Sequence, residues 1–344
     1  MKQVLLLSLF LISFSINAQS PVEMVQYRRT DTMDPELTRQ RSLVLIATPQ
    51  KNSEWKEIAE YTHKSFRLMG IDAVNYMHYL DYQANPTVKQ GIDQYADTRQ
   101  VAFTILIEKR PSDYRMVILP RTGKLNEAWY TEGPDVRTLI RNLAITLKRT
   151  DHVNQNFLIS VKPEFLSSLP LYEGTRYPNF PDRIKRLRMA VLEIPEVMMD
   201  TSFSIQQRQE IEKYNQMVRD KNASIKKLAE AYPFTLHVLK LQDEKELYRQ
   251  GYQYVLYYLH SSVESIREIL DYESQKQKEY ISQLTLSNGQ RTLQSYPADE
   301  TVYKWYIKQT AVSDIHVGRY WDAHDNFELS LQYVLNRIVE LLGE

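Results

Sequence analysis

The chain has 344 residues, 43% hydrophobic and 25% charged, a length and composition that suit two folded domains and exclude a disordered polymer. Lys plus Arg and Asp plus Glu both number 43, so net charge offers no basis for holding nucleic acid or anionic lipid. Cysteine is absent, which excludes disulfides, a thiol nucleophile, cysteine-ligated zinc and a lipid-bearing cysteine.

Met1-Lys2-Gln3 and the apolar run Val4 to Ile16 read as a secretory signal peptide over residues 1–18, with the small residue Ala18 at the cleavage site. Its removal takes away Lys2 and leaves 42 basic against 43 acidic residues. The run is short for a bilayer, and no later run approaches the length of a transmembrane helix. The expected address is the periplasm, with secretion as the alternative. Residues 19–40 are polar and without period, as a flexible leader would be.

Order is expected from Ser42. Leu43 to Ala47 is a short apolar run ending at Pro49, as in a buried strand. Trp55, Ile58, Ala59, Thr62, Phe66 and Met69 fall on one face of a helix, with Glu54 and Glu57 in its first turn and Gly70 past its end. Asp72 to Leu80 reads as a strand, and Asn85-Pro86 opens a helix carrying Val88, Ile92 and Tyr95. Val101 to Ile107 and Asp113 to Leu119 read as a hairpin, and Val136, Leu139, Ile140, Leu143 and Leu147 as an amphipathic helix. These elements form a first unit over 41–151.

Residues 152–187 break the pattern with Pro163, Pro170, Pro178 and Pro181, among which Phe157, Leu158, Phe165 and Leu169 can still pack. Met189-Ala-Val-Leu-Glu-Ile-Pro195 then restarts the order: strand, a long helix through Ile211 to Leu228, strand Phe234 to Leu241, a short helix with Leu247, strand Tyr254 to Leu259, strands Val302 to Lys308 and Asp314 to Val317, and a closing helix from Phe327 to Leu341. That helix argues against a β-sandwich sorting domain at the end of the chain and favours retention over secretion. The expected fold is therefore α/β (α+β), two tandem β-α-β-α-β-β-α units with mixed sheets. The second unit spans 188–344 and carries an insertion at 261–300, within which Ser287-Asn288-Gly289-Gln290 resembles a two-residue hairpin turn. The insertion is either a partner-binding part or an arm that covers a sheet edge.

Motifs for chemistry are few. Nine glycines, none closer than Gly123 and Gly133, exclude dinucleotide and P-loop cradles, and no nucleophile elbow or H-E-x-x-H helix occurs. Asp314, His316 and His324, with Asp322 and Asp325 nearby, form the one cluster that suits a metal-dependent or His/Asp hydrolase. In the simpler reading Asp322 caps the closing helix. Tyrosine, 24 against 10 Phe, crowds at Tyr252, Tyr254 and Tyr257, either as sheet packing or as a surface for a peptide or glycan. The candidate binding residues are Tyr254, Tyr257, Asn288, Gly289 and Trp321, although Tyr254 and Tyr257 fall on opposite faces of one strand. No cofactor or metal is expected.

The order strand, helix, strand, short helix, strand, strand, with Gly251-Tyr-Gln-Tyr-Val-Leu-Tyr-Tyr258 entering the third strand, resembles the periplasmic envelope domains typified by the amino-terminal domain of TolB. That resemblance implies a non-enzymatic protein that binds an envelope protein or cell-wall component. A third reading is a small ligand held between the two units.

Overall fold

The computed structural model describes residues 28–51, 53–121, 127–149, 159–166, 174–199, 201, 203–272, 277–312 and 314–343. The signal segment, Gly123, Phe157, Leu158, Leu169, Pro170 and Ser313 lie outside the described residues. The fold is α/β, with two six-stranded mixed sheets and one two-stranded sheet.

The first sheet is built from β1 (Arg28–Thr30), β2 (Arg41–Ala47), β3 (Asp72–His78), β4 (Val101–Lys109), β5 (Tyr114–Pro120) and β6 (Glu127–Gly133), in the order β1-β6-β5-β4-β2-β3. The second contains β7 (Arg176–Tyr177), β8 (Met189–Leu192), β9 (Leu236–Leu239), β10 (Tyr254–Ser262), β13 (Thr301–Gln309) and β14 (Ile315–His316), in the order β7-β14-β13-β10-β8-β9. Strand senses recur as well as order: β4, β2 and β3 run parallel like β10, β8 and β9, whereas β5 and β13 are antiparallel to both their neighbours. Three strands depart from expectation, the first being β7, which lies in the 152–187 connection where the prolines left no regular element expected. Arg28–Thr30, placed in the leader, pairs in parallel with β6, and β6 itself had no strand signal because only Ala128, Trp129 and Tyr130 are apolar in it.

Helices α1 (Glu54–Met69) and α4 (Val136–Arg149) cover the outer face of the first sheet, where Phe66 and Leu143 pack with Val44, Ile46, Ile105 and Ile107. The left-handed Gly70 (φ 76°) ends α1, as only glycine does without strain. Helices α5 (Ile205–Ala231) and α8 (Phe327–Gly343) cover the second sheet in the same way, burying Ile225, Leu331 and Ile338 on Leu256, Trp305 and Ile307. A capping box of Ser204 and Gln207 starts α5. Asn326, not Asp322, caps α8, its Oδ1 accepting from Leu329 N at 3.0 Å.

The inner faces carry the short helices α2 (Tyr79–Tyr82), α3 (Pro86–Thr98), α6 (Glu244–Arg249) and α7 (Val263–Ile269). A single cluster joins them, running from Leu43, Leu45, Tyr82 and Leu106 to Val255, Leu259, Ile266 and Tyr306, so the two halves share one interior. Polar groups fasten it. Ser261 Oγ donates to Asp81 Oδ1 at 2.8 Å, Lys51 Nζ lies 2.5 Å from Asp81 Oδ2 and also donates to Ser265 Oγ, and Asn85 Nδ2 donates to Tyr306 OH at 3.0 Å.

The insertion forms the hairpin β11 (Glu279–Thr285) and β12 (Arg291–Pro297). Its turn has three residues rather than two: Gly289 N donates to Leu286 O at 2.9 Å, Leu286 N to Gln290 O at 2.8 Å, and Gly289 takes φ +78°. The hairpin lies on α8, held by Arg291 with Glu340 at 2.6 Å and by Asn336 Nδ2 donating to Thr285 O at 3.0 Å.

Among the described residues one cation lies wholly inside. Lys304 of β13 has 0% side-chain exposure; its Nζ lies 2.6 Å from Asp322 Oδ1 and donates to Trp305 O and Val317 O at 2.9 and 2.8 Å. Removing one partner strands the other charge without solvent. Lys304→Met is expected to cost about 3–5 kcal/mol in urea unfolding, and Lys304→Met with Asp322→Leu clearly less.

Candidate functional site

The 313–325 cluster does not assemble. Asp314 precedes a strand of only two residues, and its Oδ1 accepts from Thr175 N at 3.1 Å. His316 stacks on Tyr177 with ring centroids 5.2 Å apart, its Nδ1 2.8 Å from Asn179 O. His324 Nδ1 accepts from Asn326 N at 2.9 Å. His316 pairs with Ile307 and His324 with Tyr303, four residues apart on β13, so their backbones stand roughly 13 Å apart and the imidazoles cannot share an ion. Burial, as the leading cause, lowers the pKa of both. Among the described residues no three His, Cys, Asp or Glu side chains are grouped to hold a metal.

The other expected site residues are equally dispersed. Tyr254 lies in the outer core with α5 and α8, and Tyr257 in the shared interior, 5% and 7% exposed. Trp321 is buried edge-on to Tyr272 at 5.4 Å. Of the five, Asn288 and Gly289 are the exposed pair, at the hairpin tip, where Asn288 Oδ1 accepts from Gln290 N at 3.0 Å. At the junction of the halves a cavity of about 20 Å³ is lined by Asn85, Leu192, Tyr257 and Trp305; it has room for about one water and not for a metabolite.

A polar group that the sequence did not single out sits at the carboxyl ends of β2 and β3. His78, 0% exposed, opens α2 by accepting from Leu80 N at its Nδ1, 3.3 Å away, which leaves Nε2 to donate to Thr48 Oγ1 at 3.0 Å. The Thr48 hydroxyl donates onward to Gln50 O at 2.6 Å. Nearby Ser261 donates to Asp81, whose charge Lys51 balances, and Ser265 is held by Ser262 at 2.8 Å as well as by Lys51. These groups satisfy one another, which makes the cluster a fastening between the halves.

The sheet edges differ in a way that bears on binding. In the first sheet β3 is covered by the chain itself: Tyr76 N donates to Glu164 O at 2.8 Å and Leu166 N to Tyr76 O at 2.9 Å, so Phe165 bridges Tyr76 in the parallel sense. Phe165 packs edge-on against Trp55 of α1 at 5.3 Å, Lys56 Nζ lies 5.7 Å from its ring, and His63 Nε2 meets Ser160 O at 3.0 Å. The edge strand is accordingly sealed, with Tyr76, Met77 and His78 all at 0% exposure.

β9 occupies the same place in the second sheet. Met189 N donates to Thr235 O and Glu193 N to Leu239 O, so the alternate residues Leu236 and Val238 direct N–H and C=O away from β8. Among the described residues those groups have no partner, and His237, Val238 and Leu239 are half-exposed. Beside them runs a groove of about 400 Å³ lined by Lys226, Ala229 and Glu230 of α5, by β9, and by Tyr252. Tyr252 OH lies 2.9 Å from His237 Nδ1 and accepts from Arg188 at 3.0 Å. The signals for this arrangement were faint: β9 has four residues, and Pro163 marks the covering segment as extended without saying where it goes.

Compared with known proteins, the chain matches no family model, no curated protein and no solved structure, so its site is read from its own geometry.

Burial holds the His78 pKa down, to about 4 from 6.5, with the Lys51 cation acting in the same direction and Asp81 against it. Between those values the unfolded chain takes up a proton that the native imidazole refuses. Stability is therefore expected to fall as pH drops from 6.5 to 4, by up to about 3 kcal/mol from this residue. His78→Gln keeps a donor and an acceptor but does not titrate; urea unfolding across this range should show a shallower decline in the variant.

Proposed function

We propose that the chain is an exported protein of the cell envelope that works by binding a protein partner, and that the open edge of the second sheet is where the partner sits. The observation that carries this reading is the contrast between the edges: β3 is paired and sealed by residues 164–166, whereas the outward groups of β9 face a groove of about 400 Å³. An unpaired edge beside a groove is what an incoming strand requires. Export, read from residues 1–18, makes the periplasm the compartment of that partner.

A second surface has one observation in its favour. Ile281 and Leu293 on the outer face of the hairpin are 63% and 68% exposed, an apolar pair within the insertion. The two surfaces are separated by substitution. Val238→Pro removes an outward N–H at an edge position that tolerates proline, and Glu230→Trp fills the groove from an exposed position of α5. Proteins cross-linked to the chain in its own envelope should fall at least about tenfold in recovery with either variant, at unchanged melting temperature, and persist in Ile281→Ser with Leu293→Ser. Recovery that survives both edge variants but not the hairpin variant would transfer the site to residues 279–297.

A further inference from the structure

The first sheet displays the kind of segment that fits the second. Glu164-Phe165-Leu166 lies on β3 with two backbone hydrogen bonds to one residue, Tyr76, whose side chain points to the outer helices. Phe165 shares that side and meets α1 through Trp55, while Leu166 turns to the opposite face and packs on the shared interior. On β9, Leu236 and Val238 have the orientation of Tyr76, with side chains among the outer core residues and backbone groups outward.

The lining of the groove then decides what each position of an incoming strand meets. A residue opposite Val238 points along α5, past Ala229 and between Lys226 and Glu230, where no tryptophan corresponds to Trp55 and the space is open for a ring. The residues before and after it face the other way, toward His237 and Tyr252. Arg188 stands there, its guanidinium 4.3 Å from the Tyr252 ring centroid and bonded to Tyr252 OH and Gln250 O; among the described residues it has no carboxylate partner. An acidic side chain at that position supplies the missing charge.

Resting on the reading above that β9 is a partner site, we propose that it takes an extended segment of a partner protein that runs parallel to β9 and has the form acidic, aromatic, aliphatic. The aromatic ring enters the groove along α5, the acidic residue pairs with Arg188, and the aliphatic residue covers Tyr252. Main-chain bonds to Leu236 and Val238 set the register, and the three side-chain positions set the choice of partner.

The probe is a fluorescein-labelled peptide with the sequence of residues 160–166, Ser-Val-Lys-Pro-Glu-Phe-Leu, titrated with the full chain and read by anisotropy. Saturable binding is expected, weakened at least about tenfold by Phe→Ala in the peptide and by Val238→Pro in the protein. Arg188→Glu should weaken it too, and a peptide with Lys in place of Glu should recover the loss. No saturation, or binding indifferent to Val238→Pro, which would place the peptide on β3 instead, overturns the proposal. Such a result, with cross-linking in the envelope still lost in Val238→Pro, removes this segment chemistry and leaves the partner site standing; unchanged cross-linking removes the partner site itself.

Discussion

Two mixed sheets present four faces that cannot be left in water, and among the described residues the long helices that cover them number four. α1 and α4 close one outer face, α5 and α8 the other, and the inner faces retain only short helices of four to thirteen residues. Those faces are covered by each other, so the core runs without interruption from Leu43 and Leu106 to Val255 and Tyr306. This sharing brings Lys51 and Asp81 of one half against Ser261 and Ser265 of the other, and it holds the parallel edges β3 and β9 at the limits of their sheets.

Identical strand order does not give the edges identical surroundings. The connection between the halves passes β3 on its way to β7 and leaves Glu164 to Leu166 paired there, while among the described residues nothing pairs with the edge of β9 that faces away from β8. An edge strand left unpaired is a hazard for association, and β9 limits that hazard by being four residues long and followed by Lys240. The same shortness limits pairing along that edge to a few residues, too few to template open-ended sheet growth.

Several ionisable groups owe their behaviour to burial under these helices. Lys304 keeps its charge company with Asp322 and two carbonyls. Lys221 on α5 has no such carboxylate among the described residues: its ammonium lies 5.0 and 5.2 Å from the rings of Tyr303 and Phe327 and donates to Tyr303 OH at 3.1 Å, and desolvation brings its pKa down to about 8. His260, stacked on Tyr303 at 4.0 Å, is pushed down to about 3, by burial first and by Lys221 second. These shifts follow from packing against aromatic faces and need no ligand to account for them.

The elements were legible where local pattern and tertiary environment agree. Trp55, Ile58 and Phe66 recur at helical spacing because one side of α1 lies on a sheet, and the run Leu43 to Ala47 is apolar throughout because β2 is covered on both faces. The strand Glu127–Gly133 escaped because its conformation comes from β5 and β1 on either side, and the three-residue turn at Gly289 because loop length depends on which residues pair across the hairpin. Proximity in sequence also misled at residues 314–325, where β13 holds His316 and His324 at separate rungs. By itself the sequence determined the α/β class, the alternating faces of Tyr254 and Tyr257, and the lack of any cysteine chemistry, since periodicity and composition act locally. Only the tertiary structure decided that the halves share an interior, that β3 is covered and that β9 is not, because those facts depend on residues far apart in the chain competing for the same backbone groups.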